Sequence, residues 1–151
     1  MSPLIEELRQ LVAVFNERGI DFAICGGLAL AAHGLVRATQ DIDFLIREET
    51  LDDAYKAAAE VGYDIRGLDI SFKERTVEIR RVSKVVGEDV ISLDLLLVTP
   101  HVEDVWEGRE SIDFMGQTLF VVSRAGLIKM KQQAGRPQDL ADIDRLENEG
   151  S

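Results

Sequence analysis

The sequence is poor in the residues that build most metal and redox centres. Cysteine occurs once, at Cys25, which excludes an internal disulfide and any cysteine-only zinc site. Two histidines are too few for a histidine-rich metal site. No apolar run approaches the roughly 20 residues of a membrane span. The start, Met1-Ser2-Pro3-Leu4-Ile5-Glu6-Glu7, lacks the basic head and apolar stretch of a signal peptide. A cytoplasmic protein with no membrane partner is therefore expected. Basic residues are short as well: 17 Lys and Arg stand against 28 Asp and Glu, a formal charge of −11. A chain that holds nucleic acid chiefly by counterion release carries a basic surplus, so any such contact here is local. No repeat, low-complexity tract or Pro/Gly linker divides the 151 residues, and an apolar fraction of 46% supports one globular domain over the whole of 1–151.

What is present reads as alternating helices and strands. Ser2-Pro3 caps a helix carrying Leu4, Leu8, Leu11, Val12 and Phe15, and Gly19 ends it. Asp21 to Cys25 reads as a short buried strand stopped by Gly26-Gly27. Leu28, Ala31, Ala32 and Leu35 suit one face of a short helix broken at Gly34. Asp41 to Ile46 alternates as a strand, and Thr50 to Val61 forms an Ala-rich helix ending at Gly62. Thr76 to Val86 reads as a strand or hairpin, Val90 to Val98 as a strongly apolar strand, Pro100 to Trp106 as a short helix and Gln117 to Val122 as another strand. Ser123 caps a helix through Ala134, and Pro137 opens a last one with Leu140, Ile143 and Leu146 on its apolar face. This order predicts an α/β (α+β) fold, a mixed sheet with helices packed on it.

Three carboxylates stand out by position. Asp41 and Asp43 are two apart on a strand and leave the same face, while Ile42, Phe44 and Ile46 take the other. Asp94 interrupts Ile91-Ser92-Leu93-Asp94-Leu95-Leu96-Leu97, where a lone carboxylate is costly unless paired, and no Lys or Arg lies within three positions of it. Were the two strands neighbours, three like charges would meet and would have to take up protons or bind cations. Oxygen-only ligands favour Mg2+ or Mn2+ over zinc. Gly26-Gly27, between a strand and a helix, lets the backbone approach a bound group, and the helix start favours a phosphate. A phosphate cradle and a metal cradle on consecutive strands describe a metal–nucleotide site. The stretch from Arg66 to Lys84 holds six basic against three acidic residues, +3, and reads first as a mixed-charge strand pair, with slight support for RNA contact. Cys25, His33, Trp106 and Phe114 read first as packing or helix-end residues. Asp139, Asp142 and Asp144, early in the last helix, read as structural or as partners of Arg136 and Lys129.

The run Gly26-Gly27-Leu28-Ala29-Leu30-Ala31-Ala32-His33-Gly34, then Arg37-Ala38-Thr39-Gln40-Asp41-Ile42-Asp43, with Asp94 on a later strand, resembles the nucleotidyltransferase superfamily of DNA-polymerase-β-like fold. More narrowly, it resembles the small AbiEii-type toxin nucleotidyltransferases, and the likeness spans roughly Phe22 to Leu146. The chain departs from the pattern at Leu28, where many members carry a serine that touches the triphosphate. The resemblance implies transfer of a nucleoside monophosphate from an NTP, ATP among them, to an acceptor hydroxyl on a tRNA, a protein or a small molecule. It further implies that Asp41, Asp43 and Asp94 hold two Mg2+ (or Mn2+) ions and that Asp94 takes the acceptor's proton. Gly26, Gly27, Arg37, Thr39 and Lys129 would contact phosphate, and a cognate antitoxin or toxin is an implied partner. The competing reading is a non-catalytic nucleotide-binding or partner-binding module of the same fold.

Overall fold

The computed structural model describes residues 3–34, 41–72 and 77–148. Helix α1 (Pro3–Glu17) buries the stripe Leu8, Leu11, Val12 and Phe15, as helical spacing dictates. Strand β1 (Ala23–Cys25) is fully buried and runs straight into α2 (Gly26–Ala32). Strand β2 (Asp41–Ile46) follows, and α3 (Leu51–Glu60) buries Ala54, Ala57 and Ala58. Two short strands, β3 (Ile65–Arg66) and β4 (Ile70–Phe72), precede a long hairpin of β5 (Val77–Val86) and β6 (Asp89–Leu97). The short helix α4 (Glu103–Glu107) leads to a second hairpin, β7 (Glu110–Phe114) and β8 (Gln117–Val121). Two helices close the chain: α5 (Arg124–Ala134), capped by the Ser123 hydroxyl, and α6 (Pro137–Asn148).

The strands form one mixed sheet in the order β3-β5-β6-β2-β1-β8-β7, with β4 also paired to β5. β2 lies parallel to β6 and antiparallel to β1, and β5 runs antiparallel to β6. The α/β class read from the sequence is the class observed. One face of the sheet is the core. Ile42, Phe44, Ile46, Leu93 and Leu95 are all essentially inaccessible there. Phe15 of α1 meets Phe22 and Phe44 edge-on at 5.5 and 5.2 Å between ring centroids, and those two rings stack at 4.5 Å. Burying each such ring stabilises the fold by about 1.5–3 kcal/mol. Because strand side chains alternate, filling this face with apolar groups sends Asp41, Asp43 and Asp94 to the opposite one.

Three readings need correction. β3, β4 and β7 were not anticipated: they are short and lie towards the sheet margins, β3 and β7 being largely exposed, so apolar alternation is faint in them. In α2 the buried side chains are Ala29 and Leu30, whereas Ala31 and Ala32 face solvent. In α6, Leu140 is 58% exposed while Asp139 and Asp142 join Ile143 and Leu146 on the buried face. There buried charge pairing overrides the apolar pattern.

Candidate active site

Strand register builds the site. Asp43 sits directly beside Asp94 across the parallel β2–β6 pair, and Asp41 is one step along the same face, beside Ser92. Cys25 lies opposite Asp43 on β1, and Arg81 lies opposite Asp94 on β5. A continuous row therefore crosses four strands: Cys25, Asp43, Asp94, Arg81. The Arg81 guanidinium clasps Asp94 with both arms, Nε donating to Oδ1 at 2.7 Å and Nη2 to Oδ2 at 2.9 Å, and its Nη2 lies 3.7 Å from Asp41 Oδ2. The cation missing from the neighbourhood of Asp94 in the chain thus arrives from the adjacent strand. Burial first, then the charges of Asp94 and Asp41, push the Asp43 carboxyl up to about 7. The crowding of like charges is met in two ways: Asp94 takes a guanidinium, and Asp43 holds its proton towards neutral pH.

The Gly26 turn exists for Asp43. Gly26 has φ +66°, and a Cβ placed on it would stand 2.0 Å from Asp43 Oδ2. Any larger residue would evict the carboxylate from its seat beside the β1–α2 junction. Gly27 is buried just behind it, and Leu28 packs half-buried against the core.

The row lies in a cleft of about 390 Å3 between the sheet face and helices α5 and α6. Lys131 and Arg136 line it with the carboxylates. Lys131 is buried, its Nζ donating to Asp142 at 2.8 Å and standing 3.8 Å from Asp139. Arg136 donates from Nε to Asp139 Oδ2 at 2.7 Å, and three-quarters of its side chain remains exposed. Lys129 takes no part in the cleft lining: it points outward and donates to Asp104 at 2.7 Å. Helical arithmetic carried the missed signal. Lys131 lies four residues from the buried Leu127 and so shares its face, whereas Lys129 is only two away. Arg37 and Thr39 lie outside the described residues.

Other candidates resolve into structure. His33 Nε2 meets the Val122 carbonyl at 3.0 Å, and Trp106 is buried under the Arg109 guanidinium, 4.0 Å from its ring centroid. Burial, with Asp43 and Asp94 close by, pushes the Cys25 thiol well above its usual range, leaving it a small packed hydrophobe. In the basic stretch, Arg66 stacks on Tyr55, Arg80 pairs with Glu78 and Asp69, Arg81 with Asp94, and Lys84 with Glu7. Lys73 and Arg75 lie outside the described residues. Among the described residues, the four cations of this stretch are all held by contacts within the fold.

Divalent metal suits this donor set by chemistry: all-oxygen carboxylates, two of them close enough to raise the proton affinity of Asp43, with a glycine cradle beside them. Among the described residues no three His, Cys, Asp or Glu side chains are gathered tightly enough to hold an ion as they stand. A carboxylate offers about four lone-pair positions, so Asp94 can keep Arg81 and still present an oxygen to a cation. No helix among the described residues is long and apolar enough to cross a membrane.

The family model described as nucleotidyl transferase of unknown function (DUF2204) matches residues 4–149. In fold the chain is similar to the crystal structure of TM1012 from Thermotoga maritima, with TM-score 0.65 and 14% identity over 94% of this chain and 91% of that one. It is similar also to ANT(2'')-Ia in complex with adenylyl-2''-tobramycin, with TM-score 0.63 and 14% identity over 96% and 87% of the two chains. A third likeness, to JHP933 from Helicobacter pylori, has TM-score 0.51 and 18% identity over 95% and 66%. At these identities the likeness is one of fold. No curated protein matches the sequence. With the aspartate row on one sheet face and a family model spanning nearly all of its length, this chain belongs to the DUF2204 nucleotidyl transferases.

Proposed function

We propose that the chain moves a nucleoside monophosphate from an NTP to an acceptor hydroxyl, with Asp41, Asp43 and Asp94 as its Mg2+ (or Mn2+) ligands. The observation that carries this is the pairing of Asp43 with Asp94 in register, with Asp41 one step away and Arg81 closing the row. When bound, divalent metal would supply charge neutralisation for the triphosphate and acidify the acceptor hydroxyl. Phosphoryl transfer otherwise asks the protein mainly for positioning and charge. Arg136, with its exposed guanidinium, and Lys131 at the cleft wall suit the β- and γ-phosphates. Gly26 lines the same cleft. The bond from the α-phosphorus to pyrophosphate breaks as the bond to the acceptor oxygen forms, and the hydroxyl proton passes to Asp94. Arg81 fixes how Asp94 is presented.

The test is direct. The protein is incubated with each labelled NTP, Mg2+ and, in turn, tRNA, protein and small-molecule acceptors, and label transfer is followed. Wild type is expected to transfer label, Asp43→Asn to lose at least 100-fold, and Lys129→Ala to keep wild-type rate. Equal activity in all three rejects the assignment of the site. Nucleotide binding without turnover over the whole acceptor set would favour a binding module, the reading that Arg81's grip on Asp94 best supports.

A further inference from the structure

The same strand register that lines up the charged row lines up a second one. Two residues further along β2 and β6, and two residues back along antiparallel β5, stand Leu45, Leu96 and Ile79, and Ile70 of β4 continues the line. This apolar row runs about 7 Å from the aspartates on the same face. Leu45 is buried at its base, Leu96 and Ile79 are half-buried, and Ile70 is 40% exposed at its outer end. Met130 of α5 lines the same cleft. The cleft therefore has two unlike flanks about Asp94: Gly26, Lys131 and Arg136 on one side, and β5 with β4 on the other.

We infer that the β5–β4 flank is the acceptor subsite, and that it takes a hydroxyl carried on an aromatic ring. This rests on the phosphoryl-transfer reading above and deepens it. In-line displacement puts the attacking oxygen and the leaving pyrophosphate on opposite sides of the α-phosphorus. Pyrophosphate belongs with Lys131 and Arg136, so the acceptor must enter over Arg81, Ile79 and Ile70. An apolar floor, a thioether and a guanidinium are the partners that an aromatic ring favours. They do not suit a polycationic sugar, which needs carboxylates. Each carboxylate bordering this flank already faces a guanidinium, Asp41 included, 3.7 Å from Arg81 Nη2. Asp94 is held by Arg81, Asp69 by Arg80, and Glu78, which alternation places on the other face of β5, accepts from Ser71 at 2.9 Å and Arg80 at 3.2 Å.

The full chain with Mg2+ and the α,β-methylene analogues of the four NTPs provides the test, with p-cresol and tobramycin as acceptor probes. Backbone-amide NMR is expected to show p-cresol perturbing Ile70, Ile79 and Leu96, and tobramycin leaving them unmoved. Ile70→Ser and Ile79→Thr should each weaken p-cresol binding at least tenfold while leaving the analogue-induced rise in melting temperature unchanged. Tobramycin seated on these residues, or analogue binding that weakens in step with p-cresol in both variants, would overturn this inference alone. If no analogue raises the melting temperature of the wild type, the parent reading falls and takes this one with it.

Discussion

A carboxylate buried beside two others cannot keep the proton affinity it has in water. Asp43 is raised from 3.8 to about 7, chiefly by burial. Between those values the folded state holds a proton that the unfolded chain has released, so this group's contribution to stability is full below about pH 4 and lost as the pH rises through 7. The shift corresponds to at most about 4 kcal/mol. Denaturant titrations at pH 5 and pH 8 should therefore show the stability difference between wild type and Asp43→Asn shrinking or reversing at the lower pH. A pH-independent difference would count against the raised carboxyl. Metal binding displaces the same proton, so the rise in melting temperature with Mg2+ should be larger at pH 8 than at pH 6. The two lysines of α5 make a sharper contrast. Lys131→Met strips the cation from two buried aspartates and should cost about 3–5 kcal/mol. Lys129→Ala removes an exposed pair and should stay within about 1 kcal/mol. Equal costs in urea denaturation would contradict this division.

The β1–α2 junction shows how a strand, a turn and a helix start cooperate to place one side chain. Gly26→Ala faces both a left-handed φ and a 2.0 Å collision with Asp43 Oδ2. It should cost about 1–3 kcal/mol and, by shifting Asp43, lower transfer rate more than it raises KM for the NTP. A fall in stability with an unchanged rate would show that the turn serves folding only. The two glycines were legible as a site for close approach, yet the group that approaches Gly26 is the protein's own carboxylate. α6 carries a related lesson. Its spacing was read through Leu140, but Asp139 and Asp142 are the buried residues, because Lys131 and Arg136 supply charges that pay for their desolvation. Apolar periodicity is blind to such pairs, since their partners lie on another helix. Lys131 differs: it shares the buried face of Leu127 at helical spacing, a signal its own helix carries.

Taken as one molecule, the chain carries −11 yet gathers Arg81, Lys131 and Arg136 around one cleft. The same cleft also holds Asp41, Asp43, Asp94 and Asp139, so an NTP meets repulsion locally as well as generally, and Mg2+ as counterion should matter for binding as well as for chemistry. At 100 times its Kd, Mg2+–NTP should stabilise the fold by about 2.7 kcal/mol, a rise of about 5–10 °C in Tm for a domain of this size. Asp43→Asn should lose most of that rise. An identical rise in both would place the nucleotide elsewhere. The fold class, the main helices and the strands of Asp41 and Asp94 were readable along the chain, because a helix or strand with one buried face repeats its apolar residues at a period the chain itself displays. So was the aspartate trio, because a carboxylate inside an apolar strand is conspicuous. The arginine across from Asp94 and the apolar row beside the charges were not. Those depend on which strands become neighbours and in what register, and pairing between distant segments leaves no local period to read.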